Sequence, residues 1–130
     1  MRFLAIYRTV ETNQPPSQEE MTRMQAFIEE MSREGALLGT EGCLPSALGA
    51  RVRRSGGAVA VTDGPFTESK EIVGGFAILE AQSKDAAIEL CRRFLAVAGD
   101  GTCELRQLYE ASAAGPEDRT GEQSEDVAAA

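Results

Sequence analysis

The sequence contains the order strand, helix, strand twice, and this repetition strongly limits the folds open to the chain. Apolar residues on both faces of residues 2–9 and a long apolar stretch over 72–81 predict two strands. Each is followed by apolar residues at helical spacing and then by a short strand, over 36–40 and 102–109. Since each predicted helix has one apolar stripe, we expect both helices to lie on one face of one antiparallel sheet.

Both predicted helices begin at a serine. Ser17 and Glu20 match a capping box, in which the hydroxyl and the carboxylate bind free backbone N–H groups. Ser83 is the predicted cap of the second helix, and Gly35 ends the first. The first stripe is rich in methionine: Met21, Met24, Phe27, Ile28 and Met31. We expect it to pack against the sheet rather than to form a promiscuous binding surface.

A hairpin separates the two units. Residues 50–54 and 58–62 alternate around a Ser-Gly-Gly turn. Gly74 and Gly75, inside the long apolar strand, predict a bulge or a close backbone approach. The resulting βαβ-hairpin-βαβ order predicts a ferredoxin-like α+β fold. Its helices would leave one apolar sheet face open, which favours a homodimer.

Composition excludes several classes of function. The chain has no histidine, which removes Ser-His-Asp and Cys-His catalysis and histidine-ligated metal sites. Cys43, Cys91 and Cys103 form no CxxC pair, so we predict reduced, buried thiols and neither metal nor cofactor. A net charge of −8 argues against direct nucleic-acid binding. No apolar run approaches the ~18 residues of a membrane span, and the chain enters a strand without a signal peptide. We therefore expect a cytoplasmic protein with no membrane contact.

The last twenty residues differ from the rest of the chain. Residues 111–130 hold five acidic residues and one basic residue, with a single β-branched aliphatic residue and no aromatic one. Such a segment cannot bury enough apolar surface to offset its ordering entropy. We therefore predict one domain over residues 1–110 and a disordered acidic tail over 111–130.

The densest motif is Asp-Gly-Pro-Phe-Thr-Glu-Ser-Lys-Glu, residues 63–71. Asp-Gly-Pro predicts a sharp turn after a strand, and Phe66 would pin the loop. Together with residues 72–76, the N-terminal strand and residues 35–42, the motif resembles the YCII-related family in its DGPF subgroup. The resemblance covers residues 1–109. It implies a ferredoxin-like fold that dimerises sheet to sheet as an α+β barrel, with Asp63 in an active-site cleft. The histidine that partners this aspartate in some relatives is missing here.

Two functions remain open at this point. In the first, a cytosolic homodimer binds a small molecule near Asp63, with acid–base catalysis by Asp63 as a further option. Candidate ligand-binding residues are Tyr7, Glu41, Phe66 and Lys70. The simpler alternatives are a turn-shaping role for Asp63 and a solvated ion pair for Lys70.

The second function is a regulatory interaction module without catalysis. The resemblance implies this alternative, because subgroup members are often encoded beside or fused to extracytoplasmic-function sigma factors. Many of them are called transcription initiation proteins.

Overall fold

A computed structural model describes residues 1–12, 14–66 and 69–110. The predicted acidic tail lies outside the described residues. The elements in chain order are β1 Arg2–Thr9, α1 Gln18–Arg33, β2 Leu37–Gly42, β3 Ala50–Ser55, β4 Ala58–Asp63, β5 Ile72–Glu80, α2 Lys84–Ala98 and β6 Thr102–Gln107. A short 3-10 turn, Ser46–Leu48, precedes β3. The repeated strand-helix-strand order is therefore confirmed.

Four strands form one antiparallel sheet in the order β2-β5-β1-β6. β1 lies inside this sheet, as its two apolar faces predict. The ferredoxin-like α+β fold is confirmed. Within the described residues, β3 and β4 pair with each other and form a separate two-stranded sheet.

The core lies between one face of the sheet and the helices. Phe3, Ala5 and Leu79 form the sheet side of the core, and Ala87 and Cys91 of α2 pack on them. Both predicted helix caps are confirmed. The Ser17 hydroxyl accepts a hydrogen bond from the Glu20 N–H, and the Ser83 hydroxyl accepts one from the Ala86 N–H. In the described part of the chain, neither helix is long and apolar enough to cross a membrane.

The paired glycines of β5 form the predicted bulge. Tyr7 pairs with Gly75 and Arg8 pairs with Val73, so Gly74 is the extra residue in the strand. The backbone of β2 also approaches closely, because a Cβ atom on Gly75 would lie 2.8 Å from the carbonyl oxygen of Glu41. The bulge and the close approach leave this part of the sheet without side chains.

The methionine-rich stripe of α1 packs on the sheet over part of its length. Met31 in the last turn is 2% exposed, whereas Met21 in the first turn is 47% exposed. The expectation of packing along the whole stripe is therefore wrong for the start of α1. The nearby sheet residues Ala5, Ala77 and Gly75 are too small to fill the space beneath it.

Candidate functional site

A cavity of about 610 Å³ lies between α1 and the helix-covered face of the sheet. This volume is within the range of about 300–1,000 Å³ that small-molecule pockets occupy. Residues of α1, α2, β1, β2, β5 and β6 line it. The space exists because a roof of long side chains lies over a floor of small ones.

The roof of the cavity is the apolar stripe of α1. It consists of Met21, Met24, Phe27, Ile28 and Met31. Methionine has flexible torsions and a polarisable sulfur, so such a roof can adapt to ligands of different shape. The floor contains Ala5, Ala77 and Gly75, and Leu90 and Phe94 of α2 extend the lining. The cavity is therefore mainly apolar.

The polar groups around the cavity already have partners in the fold. The Tyr7 hydroxyl donates a 3.0 Å hydrogen bond to the carbonyl of Asp100, and its ring makes an edge contact with Phe94 at 5.1 Å. The Thr40 hydroxyl donates to the carbonyl of Phe76 at 2.9 Å. The Glu20 carboxylate accepts a hydrogen bond from the Ser17 hydroxyl at 3.2 Å. These hydrogen bonds position the walls and leave the lining chemistry largely apolar.

The described lining contains carboxylate-bearing residues and no basic residue. Glu20 and Glu41 are among its members, whereas no lysine or arginine is present. An anionic ligand would find no cation to pair with inside this cavity. The lining therefore fits an apolar, uncharged molecule better than a carboxylate or a phosphate.

A second polar cluster lies at the Ser46–Leu48 turn. The Glu11 carboxylate accepts hydrogen bonds from the backbone N–H of Ser46 and, at 2.6 Å, from its hydroxyl. The Ser46 hydroxyl in turn accepts one from the Phe66 N–H at 3.2 Å. The hydrogen bonds from the Ser46 hydroxyl and N–H hold the pKa of Glu11 below its usual value. Glu11 is thus an ionised acceptor that ties the end of β1 to the loop after β4.

Two residues of the Asp-Gly-Pro-Phe motif pack against this turn. The Gly64 N–H donates to the Gly49 carbonyl at 3.0 Å, and a Cβ atom on Gly64 would collide with the carbonyl of Ser46. The Arg51 guanidinium lies 4.0 Å from the centre of the Phe66 ring, in a cation–π contact. Phe66 therefore holds the loop against the base of the hairpin.

The predicted site residues lie in different parts of the fold. Tyr7 and Glu41 line the cavity, and Phe66 belongs to the cluster around Ser46. Asp63 is exposed at the end of β4, opposite Ala50, and Lys70 is exposed as well. Asp63, Phe66 and Lys70 are not part of the cavity lining.

Sequence reasoning missed the cavity and the pairing of Glu11 with Ser46. For the cavity, a signal was present: a methionine stripe on a helix and a glycine pair in a strand. Glu11 and Ser46 carried no such signal, because an acidic residue after a strand and a serine after a proline are common.

Comparison with known proteins places the domain. The YCII-related domain matches residues 1–112. The chain is also 32% identical over 97 residues to an uncharacterised protein of Rhizobium meliloti, a match that spans 71% of this chain and 78% of that protein. The narrower DGPF subgroup stays a prediction.

Proposed function

The chain belongs to the YCII-related family, and we propose that it binds an apolar small molecule in the cavity beneath α1. The observation that carries this proposal is the space of about 610 Å³ between the methionine-rich roof and the alanine–glycine floor. Unfilled apolar volume in a core costs stability. A ligand that fills this volume would recover part of that cost.

The lining supports a neutral ligand. Its side chains are mostly aliphatic, aromatic or thioether groups, and the described lining supplies carboxylates without a cation. The hydroxyl of Tyr7 is engaged with Asp100, so affinity would come mainly from apolar contact. Acid–base catalysis by Asp63 is a separate proposal that rests on the family resemblance, because Asp63 lies outside this lining.

Binding can be measured with N-phenylnaphthylamine, a neutral fluorescent probe of apolar sites. We expect the wild-type chain to increase the fluorescence of the probe and to melt at a higher temperature in its presence. A ligand at 100 times its Kd stabilises the native state by about 2.7 kcal/mol. An anionic probe of similar size should bind more weakly, because the described lining holds no cation.

Two variants locate the binding site. Ala77→Phe places a ring on the cavity floor and should abolish the fluorescence increase. The control is Ala26→Phe, which adds the same ring to an exposed position of α1 and should bind the probe like wild type. Absence of probe binding to the wild-type chain, or equal binding by Ala77→Phe, would contradict the proposal.

A second proposed property is homodimerisation, and two exposed apolar surfaces support it. The first is the open face of the sheet, where Ile6 pairs with Phe76 and where Phe76 remains 40% exposed. The second is one face of the hairpin, where Val52 lies directly opposite Val61 and Val59 shares their side. These hairpin valines are 58–66% exposed. We propose that these two surfaces are covered by a second copy of the chain.

Light scattering coupled to size exclusion tests the dimer. The full chain at micromolar concentration should have twice the monomer mass, and Val61→Glu should reduce that mass to the monomer value. Thr62→Glu adds the same charge to the other face of the same strand and should remain dimeric. A monomeric wild-type chain would contradict the dimer. A wild-type monomer that binds a purified extracytoplasmic-function sigma factor would favour the regulatory alternative, which rests on the resemblance alone.

A further inference from the structure

Two of the three cysteines come together at the cavity. Cys91 lies on α2 and is 9% exposed, while Cys103 lies on β6 and packs against the core cluster that contains Cys91. Both residues line the cavity beneath α1, and their thiols share a hydrogen bond. Cys43 is exposed and follows β2, at the end of the sheet edge strand.

We propose that Cys91 and Cys103 form a dithiol site that small aliphatic disulfides oxidise to an intramolecular disulfide. The cavity gives a small reagent access to both sulfurs, although Cys91 is nearly buried. A disulfide requires two side chains that face each other across neighbouring elements, and the shared hydrogen bond meets this requirement. The proposal goes beyond ligand binding and does not depend on a bound ligand.

The two thiols have different roles in the exchange. The hydrogen bond between them lowers the pKa of Cys91 and raises the pKa of Cys103. Because the thiolate is the nucleophile, Cys91 is the attacking residue and Cys103 the resolving one.

The reaction balances in two exchange steps. Cys91 loses its proton to water, and its thiolate attacks one sulfur of the reagent. The reagent's S–S bond breaks, and the released thiolate takes up a proton. Cys103 then loses its proton, attacks the Cys91 sulfur of the mixed disulfide and releases the second small thiol. Two electrons pass from the cysteine pair to the reagent, which becomes two thiols.

The test uses the full chain with Cys43→Ser, so that the exposed thiol cannot react. The folded protein is treated with hydroxyethyl disulfide, quenched in acid, unfolded and labelled with maleimide. We expect loss of both labelling sites, a mass lower by two hydrogen atoms and a cross-linked peptide that contains Cys91 and Cys103. Mercaptoethanol adducts on both cysteines, or two thiols that still label, would overturn the proposal.

Two controls separate proximity in the fold from simple thiol reactivity. With Cys103→Ser added, the mixed disulfide on Cys91 cannot be resolved, so one mercaptoethanol adduct should persist. In guanidinium, the Cys43→Ser chain should give mainly adducts, because the fold no longer holds the thiols together. If the unfolded chain formed the internal disulfide as completely as the folded chain, the spacing of the cysteines in the sequence would explain the reaction and the proposal would fail.

Discussion

Two methionines of α1 allow a direct test of the cavity. Met31 is 2% exposed at the end of the helix, and Met21 is 47% exposed at its start. Both can be changed to alanine without loss of helix propensity, because alanine is the best helix former. The comparison therefore isolates the packing of each side chain.

The expected costs differ clearly. Removal of a fully buried methionine side chain costs about 2–5 kcal/mol, through lost transfer free energy and the space left behind. Met31→Ala should lie in that range, which lowers Tm by roughly 8 °C or more for a domain of this size. Met21→Ala should cost about 1 kcal/mol or less, because burial of a whole methionine contributes only about 1.5–3 kcal/mol and half of this one is exposed. Met24→Ala should fall between the two.

Urea unfolding followed by circular dichroism measures these differences. All variants should be compared at one protein concentration, because oligomerisation shifts apparent stability. The midpoint should move while the slope with denaturant stays constant, which indicates a change in stability rather than in compactness. Equal losses for Met21→Ala and Met31→Ala would refute the reasoning, because they would mean that the start of α1 is packed as tightly as its end.

Three further outcomes are expected. The pKa of Glu11 is lower in the folded than in the unfolded chain, so its stabilising effect is complete above the usual carboxyl pKa of 4.5 and is lost as pH falls through the lower folded value. The stability difference between wild type and Glu11→Gln should therefore shrink between neutral pH and about pH 3 in urea titrations; a constant difference would argue against an ionised Glu11. Asp63→Asn should leave Tm and probe affinity unchanged, whereas Asp63→Ala should cost about 1 kcal/mol if the carboxylate accepts hydrogen bonds in the turn. Loss of probe affinity in Asp63→Asn would place Asp63 at the binding site. Deletion of residues 113–130 should change the unfolding free energy by less than about 0.5 kcal/mol, since the segment is predicted to be disordered; a drop of several degrees in Tm would disprove that prediction.

Local structure was largely determined by the sequence itself. Ser17 and Ser83 cap their helices through N–H groups three residues away. Gly56 and Gly57 have φ of 58° and 85°, values that favour glycine, so the hairpin turn is encoded at its own position. The bulge in β5 likewise follows from adjacent glycines. These features depend on interactions within a few residues, and a sequence pattern records them directly.

The candidate site was decided by tertiary structure. Glu11 and Ser46 are 35 residues apart, and Ser46 and Phe66 are 20 apart, yet all three meet at one turn. The cavity arises because small residues of three strands, Ala5, Gly42 and Ala77 among them, lie beneath the methionines of α1. Cys91 and Cys103 likewise face each other because α2 packs across β6. Such features depend on which segments the chain path brings together and on the volume left between them, and no local pattern contains either quantity.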